Sequence, residues 1–344
     1  MQITNLNRVG VVVYDLDQRK IDYERIYGIT EWDEQTWEPE HSVAHGRTLH
    51  KTPGVWRSAV GTASFNAGES GPGGEAYGVT FELIQPISGE SIFNEHLRTY
   101  REGIAFIQVA ADKPEKAAEH FDKLDITPAY TATQNGQTRT FFDTRKALGG
   151  FCVEVAGEGQ RGASTSEKLI ALQGIFHFGV LVHDVMDTLP AYRDIFGITE
   201  FPMKTWETGF GRLDAPQYRG TKMDHGYFTA QGMVGNFGFE IIQSNHGDSH
   251  YNREFFDERG PGIHHFFGRL CPDDADWDAT VARMTDAGHP LVMGSTLRGE
   301  AAEFGYFDTF EALGGYLIEI VVRRRTPEPQ FMEPDWIVDF EELA

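Results

Sequence analysis

The chain has 344 residues, 40% of them hydrophobic and 12% aromatic, which is enough for about two ordinary domains with real cores. Against 30 Lys+Arg stand 52 Asp+Glu, a net charge of −22 that excludes the basic surfaces needed for nucleic acid or anionic membranes. No apolar run reaches membrane-spanning length, MQITNLNRVG lacks a basic-then-apolar signal, and Cys152 and Cys271 are too few for a disulfide framework, so a cytoplasmic protein with two buried thiols is expected.

In chain order, VGVVVYDL alternates as a strand. Asp15 or Asp17 then caps a helix through Tyr27, which Gly28 ends in a left-handed turn. The Gly-, Ser- and Pro-rich segment 33–77 reads as strands joined by an elaborated loop. A second amphipathic helix is expected over 113–124, before short strands that end in FCVEV. The polar, glycine-rich run 156–168 is a linker. Beyond it the order repeats. Asp187 is expected to cap a helix with Pro190 in its first turn and Gly197 at its end, a helix follows over 274–287, and the last strand is LIEIV. The tail from Thr326 holds six acids and no base, but its Phe331, Trp336, Ile337 and Phe340 predict that it docks on a surface. The boundaries expected are a first domain over 1–157, a linker over 158–172, a second domain over 173–325 and an acidic tail over 326–344.

The two halves are copies. YERIYGITEW at 23–32 recurs as YRDIFGITEF at 192–201, Trp37 recurs as Trp206, FDTRKALGGF at 142–151 recurs as FDTFEALGGY at 307–316, and Gly103-Ile104 recurs as Gly262-Ile263. The offset drifts among 169, 165 and 159, so insertions fall in loops while the elements stay aligned.

His177, Glu240, His265 and Glu319 each sit mid-strand in the second copy, in FHFGVLV, GFEIIQ, IHHFFGRL and YLIEIVV. A polar side chain buried there is expensive without a partner, and four of them want a shared solution. Two imidazoles and two carboxylates suit zinc, nickel, cobalt, manganese or iron(II), with positions left for water or substrate. The alternation puts His177 on one face with Gly179 and Leu181, and Phe178, Val180 and Val182 on the helix side. Phe267, Leu181 and Leu317 should share the ligand face, with Trp206, Tyr227 and Phe228 at its rim. His264 is placed facing away. His41, His45, His50, His225, His246 and His250 are placed in polar loops. In the first copy the matching positions are Arg8, Glu82, Phe106 and Glu154. With both histidines gone that half is expected to be metal-free, with the Arg8 guanidinium between the two carboxylates in the place of a cation.

The stretches EIIQSNHGDSHYNREFFDERGPGIHHFFGRL and FDTFEALGGYLIEIV resemble the vicinal oxygen chelate superfamily, which includes glyoxalases, bleomycin-resistance proteins and extradiol dioxygenases, and look most like methylmalonyl-CoA epimerase and glyoxalase I within it. The resemblance implies an α+β fold of four βαβββ modules in two cup-shaped domains, nearly spanning the chain. It also implies a metal held by His177, Glu240, His265 and Glu319. The function it implies is a metal-dependent isomerase, epimerase or lyase that removes a proton beside a metal-bound carbonyl, with Glu319 or Glu240 as base. The alternatives are an iron(II) ring-cleaving dioxygenase using His177, His265 and Glu319, with Tyr306 nearby, and a non-catalytic small-molecule-binding protein. The expected partner is a small organic substrate, with no nucleic acid and no membrane; a homodimer is left open. No basic cluster for coenzyme A phosphates is legible, so that substrate is not carried over.

Overall fold

The computed structural model describes residues 1–159, 166–208 and 212–342; the middle of the expected linker, 160–165, lies outside the described residues. Each half is two βαβββ modules. The first half runs β1 (Ile3–Val12), α1 (Leu16–Tyr27), β2 (Asp33–Trp37), β3 (Val55–Thr62), β4 (Thr80–Ser88), then β5 (Gly103–Ala111), α2 (Ala117–Asp122), β6 (Pro128–Gln134), β7 (Gln137–Phe142) and β8 (Cys152–Ala156). The second half runs β9 (His177–Leu181), α3 (Val185–Phe196), β10 (Glu200–Trp206), β11 (Gly226–Val234), β12 (Phe237–His246), then β13 (Gly262–Cys271), α4 (Asp274–Asp286), β14 (Leu291–Leu297), β15 (Ala302–Phe307) and β16 (Leu317–Arg323).

Both sheets have one plan. The first is ordered β2-β3-β4-β1-β5-β8-β7-β6, with two short strands (41–44 and 47–48) beyond β6. The second is ordered β10-β11-β12-β9-β13-β16-β15-β14. In each, the first strands of the two modules pair antiparallel (β1 with β5, β9 with β13), and each pairs in parallel with the last strand of its own module. The four strands that carry the candidate ligands are therefore the four central neighbours of one sheet. The tail adds β17 (Trp336–Asp339) antiparallel to β10, so it does dock, and it covers an edge that would otherwise be open.

Local chemistry sets the helices. The Asp15 carboxylate accepts from the backbone N–H of Asp17 and Gln18, and Gly28 closes α1 at φ 69°. In α3 the cap is Asp184, not Asp187: the Asp184 carboxylate accepts from the Asp187 N–H, which puts Asp187 in the first turn and Pro190 in the second. The helix absorbs this because a proline there gives up only one ladder bond and α3 lies against a buried core. The helix expected over 113–124 is shorter, with Pro114–Lys116 as a 3-10 turn before α2.

The repeated motifs are legible because they meet one another. A Cβ at Gly149 (φ 92°) would lie 2.8 Å from Val182, and one at Gly314 (φ 77°) 3.0 Å from Val13. Thus each half's Leu-Gly-Gly turn packs on the first strand of the other half, at equivalent residues. Tyr23 donates to Leu313 O at 2.9 Å and Tyr192 donates to Leu148 O at 2.8 Å, completing the symmetry. The largest apolar core holds Val11 and Phe81 from one half together with Val180 and Phe266 from the other. Two smaller clusters line the insides of the cups.

Candidate metal centre

The register of the central strands brings the candidate side chains together. Gly179 of β9 pairs with both Glu240 of β12 and His265 of β13, while Phe267 of β13 pairs with Glu319 of β16. Gly179 is required here: a Cβ on it would lie 1.9 Å from His265 Cε1, so the imidazole lies across the glycine. His177 Nε2 is 3.0 Å from Glu319 Oε2 and 3.5 Å from Glu240 Oε2. His265 Nε2 is 3.5 Å from Glu319 Oε2 and 3.9 Å from Glu240 Oε2. Donors about 2.0–2.2 Å from a shared ion lie roughly 3–3.5 Å apart, so these separations suit one small divalent cation. His177, His265 and Glu319 form the tight trio, with donor atoms all within 4.8 Å of one another. Glu240 stands just outside it, its Oε1 accepting from Gln231 Nε2 at 3.0 Å.

The electrostatics also call for a cation. His265 Nε2 is buried and makes no hydrogen bond, an orphaned acceptor that faces two carboxylates. Burial pushes the Glu319 carboxyl up, but hydrogen bonding to His177 and the adjoining His265 ring win, and hold it at about 2. Burial pushes His177 down, yet Glu240 and Glu319 raise it above its ordinary value.

His264 does not face away. The register slips between Gly179 and Val180, which pairs with Ile263, so His264 is the extra residue of a β-bulge beside His265. His264 Nδ1 lies 2.9 Å from His265 Nδ1, and its Nε2 lies 2.9 Å from His250 Nδ1. With protons running from His265 to His264 to His250, the lone pair of His265 Nε2 is left for the site. His250 and His225, expected in polar loops, are both buried. His250 was masked in the sequence by the polar residues around it; its packing under Phe310 is a tertiary fact.

The first half holds its matching residues in the same register: Gly10 pairs with Glu82 and Phe106, and Gln108 with Glu154. The guanidinium between the carboxylates is that of Arg139, not Arg8. Arg139 donates to Glu82 at 2.6 and 2.9 Å and to Glu154 at 2.8 Å from both Nε and Nη2. It stacks over Phe106 and Phe141 and Trp37. Arg8 reaches only Glu82, at 3.1 Å, and is partly exposed. Arg139 aligns with Phe304 of the second half, and an arginine against a phenylalanine in an aligned strand was the available signal.

A cavity of about 590 Å³ opens over the candidate centre, lined by His177, Glu240, Glu319, Phe267, Trp206 and Tyr227, among others. Leu181 and Leu317 lie deeper, in the inner cluster. Phe228 packs instead against the outer core, one residue out of phase with Tyr227. Tyr306, paired with Glu319, lines the wall with its ring 4.6 Å from that of His265. Sequence reading missed Lys204, Arg298 and Arg323, which line the same cavity from three separate strands and loops.

No protein-family model matches the chain, and no curated protein does. Among solved structures, a triple mutant of 4-hydroxymandelate synthase from Streptomyces coelicolor superposes with a TM-score of 0.62 at 13% identity, over 100% of both chains. The fold is that of tandem vicinal oxygen chelate proteins. A fusion of a xylose isomerase-like TIM barrel with 4-hydroxyphenylpyruvate dioxygenase matches at 0.50 and 11% identity, covering 95% of this chain and 49% of that one. The Mn(II)-bound glyoxalase from Novosphingobium aromaticivorans matches at 0.48 and 15% identity, over 96% and 90% of the two chains. The likeness is one of fold: it covers the four modules and their arrangement in two sheets. Both cysteines are free and buried, and no helix among the described residues is long and apolar enough to cross a membrane.

Proposed function

We propose that this protein is a divalent-metal-dependent isomerase, epimerase or lyase that abstracts a proton beside the carbonyl of a small organic substrate. The observation that carries the reading is the buried convergence of two imidazoles and two carboxylates, His177, His265, Glu319 and Glu240, at the head of a largely apolar cavity. A bound divalent ion, held by these four, supplies Lewis acidity at that point. The two carboxylates divide the work. Glu319 is held near 2 by its histidines, which makes it a poor base and a steady donor. Glu240 is fixed through Oε1 by Gln231, so its Oε2 is the atom placed to take the proton. Burial keeps the Tyr306 and Tyr227 hydroxyls protonated, so they offer donors to a developing oxyanion, and Trp206 and Phe267 exclude water.

A second reading has its own observation. The tight trio is two histidines and one carboxylate, the facial arrangement of non-haem iron(II) oxygenases, with Tyr306 against Glu319. Metal analysis of protein purified without added metal, paired with solvent-deuterium exchange into carbonyl-adjacent C–H groups, separates the two. The expected result is a single zinc, nickel, cobalt or manganese ion per chain, lost in His265→Ala; Glu240→Gln keeps its metal and loses exchange. An oxygen-labile iron, with oxygen uptake in place of exchange, would transfer the assignment to ring-cleaving chemistry. No metal, even after titration, would leave a small-molecule-binding protein.

A further inference from the structure

The cavity over the candidate metal centre has two poles of unlike chemistry. At its head, Glu240 and Glu319 carry two negative charges, which a divalent ion would neutralise. Toward its mouth stand Lys204 of β10, Arg298 just after β14 and Arg323 at the end of β16. The strands that bring them are far apart in sequence, and for that reason no basic cluster is visible there.

In a chain with 52 acids and 30 bases, a cation finds a carboxylate easily. Arg19, Arg57, Arg139, Arg145, Arg212 and Arg269 all do so. Among the described residues none of Lys204, Arg298 and Arg323 has an ion-pair partner. Arg298 packs its guanidinium 5.2 Å above the Trp206 ring, with Nη1 on the Met332 sulfur at 3.3 Å, and its Nε is buried with no acceptor. Burial, and then the fields of Arg298 and Arg212, lower the Lys204 ammonium to about 8. Glu240 and Asp335 pull the other way on Lys204, and Asp335 is already paired with Arg212; the lining also holds the exposed Glu200. Lys204 and Arg298 are half-buried and Arg323 is exposed, and three cations without ion pairs that line a cavity with a chelating head make a place for an anion.

We propose that Lys204, Arg298 and Arg323 form an anion subsite, and that the natural substrate is an organic carboxylate whose charged end is held there while its carbonyl lies at the Glu240–Glu319 pole. The apolar stretch between the poles, formed by Trp206, Phe304, Leu297 and Val321, takes the body of the molecule. This rests on the metal-centre reading for the head group, but the subsite stands on residues that the head does not use. It narrows the substrate class to molecules with a chelating carbonyl at one end and a carboxylate at the other. A neutral ketone or aldehyde would leave three cations unanswered.

The test is calorimetric, on full-length protein, with 2-oxo dicarboxylates of increasing chain length against the 2-oxo monocarboxylates of equal length. Both series carry the same chelating head; only the diacid carries a distal charge. At its best length the diacid is expected to bind about tenfold tighter than the monoacid in low salt, with the advantage shrinking in high salt. Arg298→Met and Lys204→Met should each cut the diacid's affinity by about fivefold and leave that of the monoacid unchanged. Equal affinity for diacid and monoacid at every length overturns the proposal, as does a failure of both series to bind, or a variant that weakens both alike. Metal content measured on the same samples keeps the two readings apart. Metal-free protein that still prefers the diacid through Arg298 sinks the metal centre and sustains the subsite, whereas metal-replete protein indifferent to the distal charge does the reverse.

Discussion

Gly179→Ala is the sharpest perturbation that the centre offers, because it adds one methyl group and touches no candidate ligand. The new Cβ would lie 1.9 Å from His265 Cε1, 2.3 Å from Nε2 and 2.4 Å from Nδ1, where ordinary contact begins at 3.4 Å. The ring must therefore shift by about 1.5 Å, since β9 is pinned between β12 and β13 and cannot yield as a whole. Metal–ligand distances tolerate only about 0.2 Å, so His265 leaves the coordination sphere. Losing a ligand outright exceeds the roughly 10–100-fold that outer-shell disturbances cost, and an affinity loss of at least about 100-fold is expected. The overpacking should also lower stability by about 1–3 kcal/mol. Gly10→Ala is the matched control: there the added Cβ meets Phe106 at 2.0 Å, so it should destabilise to a similar degree and leave metal binding alone. Chelator-competition titrations read the affinity, and urea unfolding of metal-free protein reads the stability. Folded Gly179→Ala that binds metal within about threefold of wild type would refute the placement of His265 as a ligand.

Two further outcomes follow from the buried charges. Arg139→Ala removes the one guanidinium that answers both Glu82 and Glu154, which are almost wholly buried, and stability should drop by about 3–5 kcal/mol. Metal stoichiometry should stay unchanged; urea midpoints and elemental analysis check both, and a parallel loss of metal would mean the two cups are not independent. His96 is buried, and burial, with Arg259 and Arg145 nearby, lowers it to about 3. Its folded-state value lies below that of the unfolded chain, about 6.5, so the unfolded chain takes up the proton first; the stability is complete above pH 6.5 and is lost as the pH falls toward 3. At pH 5 the loss from this group is about 2 kcal/mol, and His96→Met should flatten the decline in urea midpoint between pH 7 and 5.

Much of this was legible in the sequence, for particular reasons. The repeats YERIYGITEW and FDTRKALGGF stood out because Tyr23, Leu148 and the glycine pairs make the contact between halves twice, so both copies carry the same constraint. His177, Glu240, His265 and Glu319 stood out because polar residues amid apolar strand residues need a partner. What failed depended on pairing across strands. In QTRTFF four polar residues precede two phenylalanines with no alternation, so nothing local says that Arg139 faces inward with Phe141. The bulge that turns His264 toward His265 exists only in the register of β9 against β13. The cap of α3 lies three residues earlier than expected because Asp184 and Asp187 are chemically equal candidates and Pro190, better suited to a first turn, favours the later one.

The two cups pose one electrostatic problem and solve it differently. Each sheet buries a pair of carboxylates at equivalent positions on the last strands of its modules, Glu82 with Glu154 and Glu240 with Glu319. Two adjacent buried anions do not persist uncompensated. In the first cup Arg139 reaches in from β7 with three nitrogens, and the hydrogen bonds are satisfied within the chain. In the second cup the aligned residue is Phe304, which cannot answer charge, and among the described residues no guanidinium pairs with Glu240 or Glu319. Only imidazoles are offered there, and His265 Nε2 is left without a hydrogen bond. Both carboxylates draw His177 toward its protonated form, and the lone pair of His265 Nε2 beside them requires a proton or a cation to answer it. That requirement, more than the likeness of fold, is the reason to look for a metal in the second cup and not in the first.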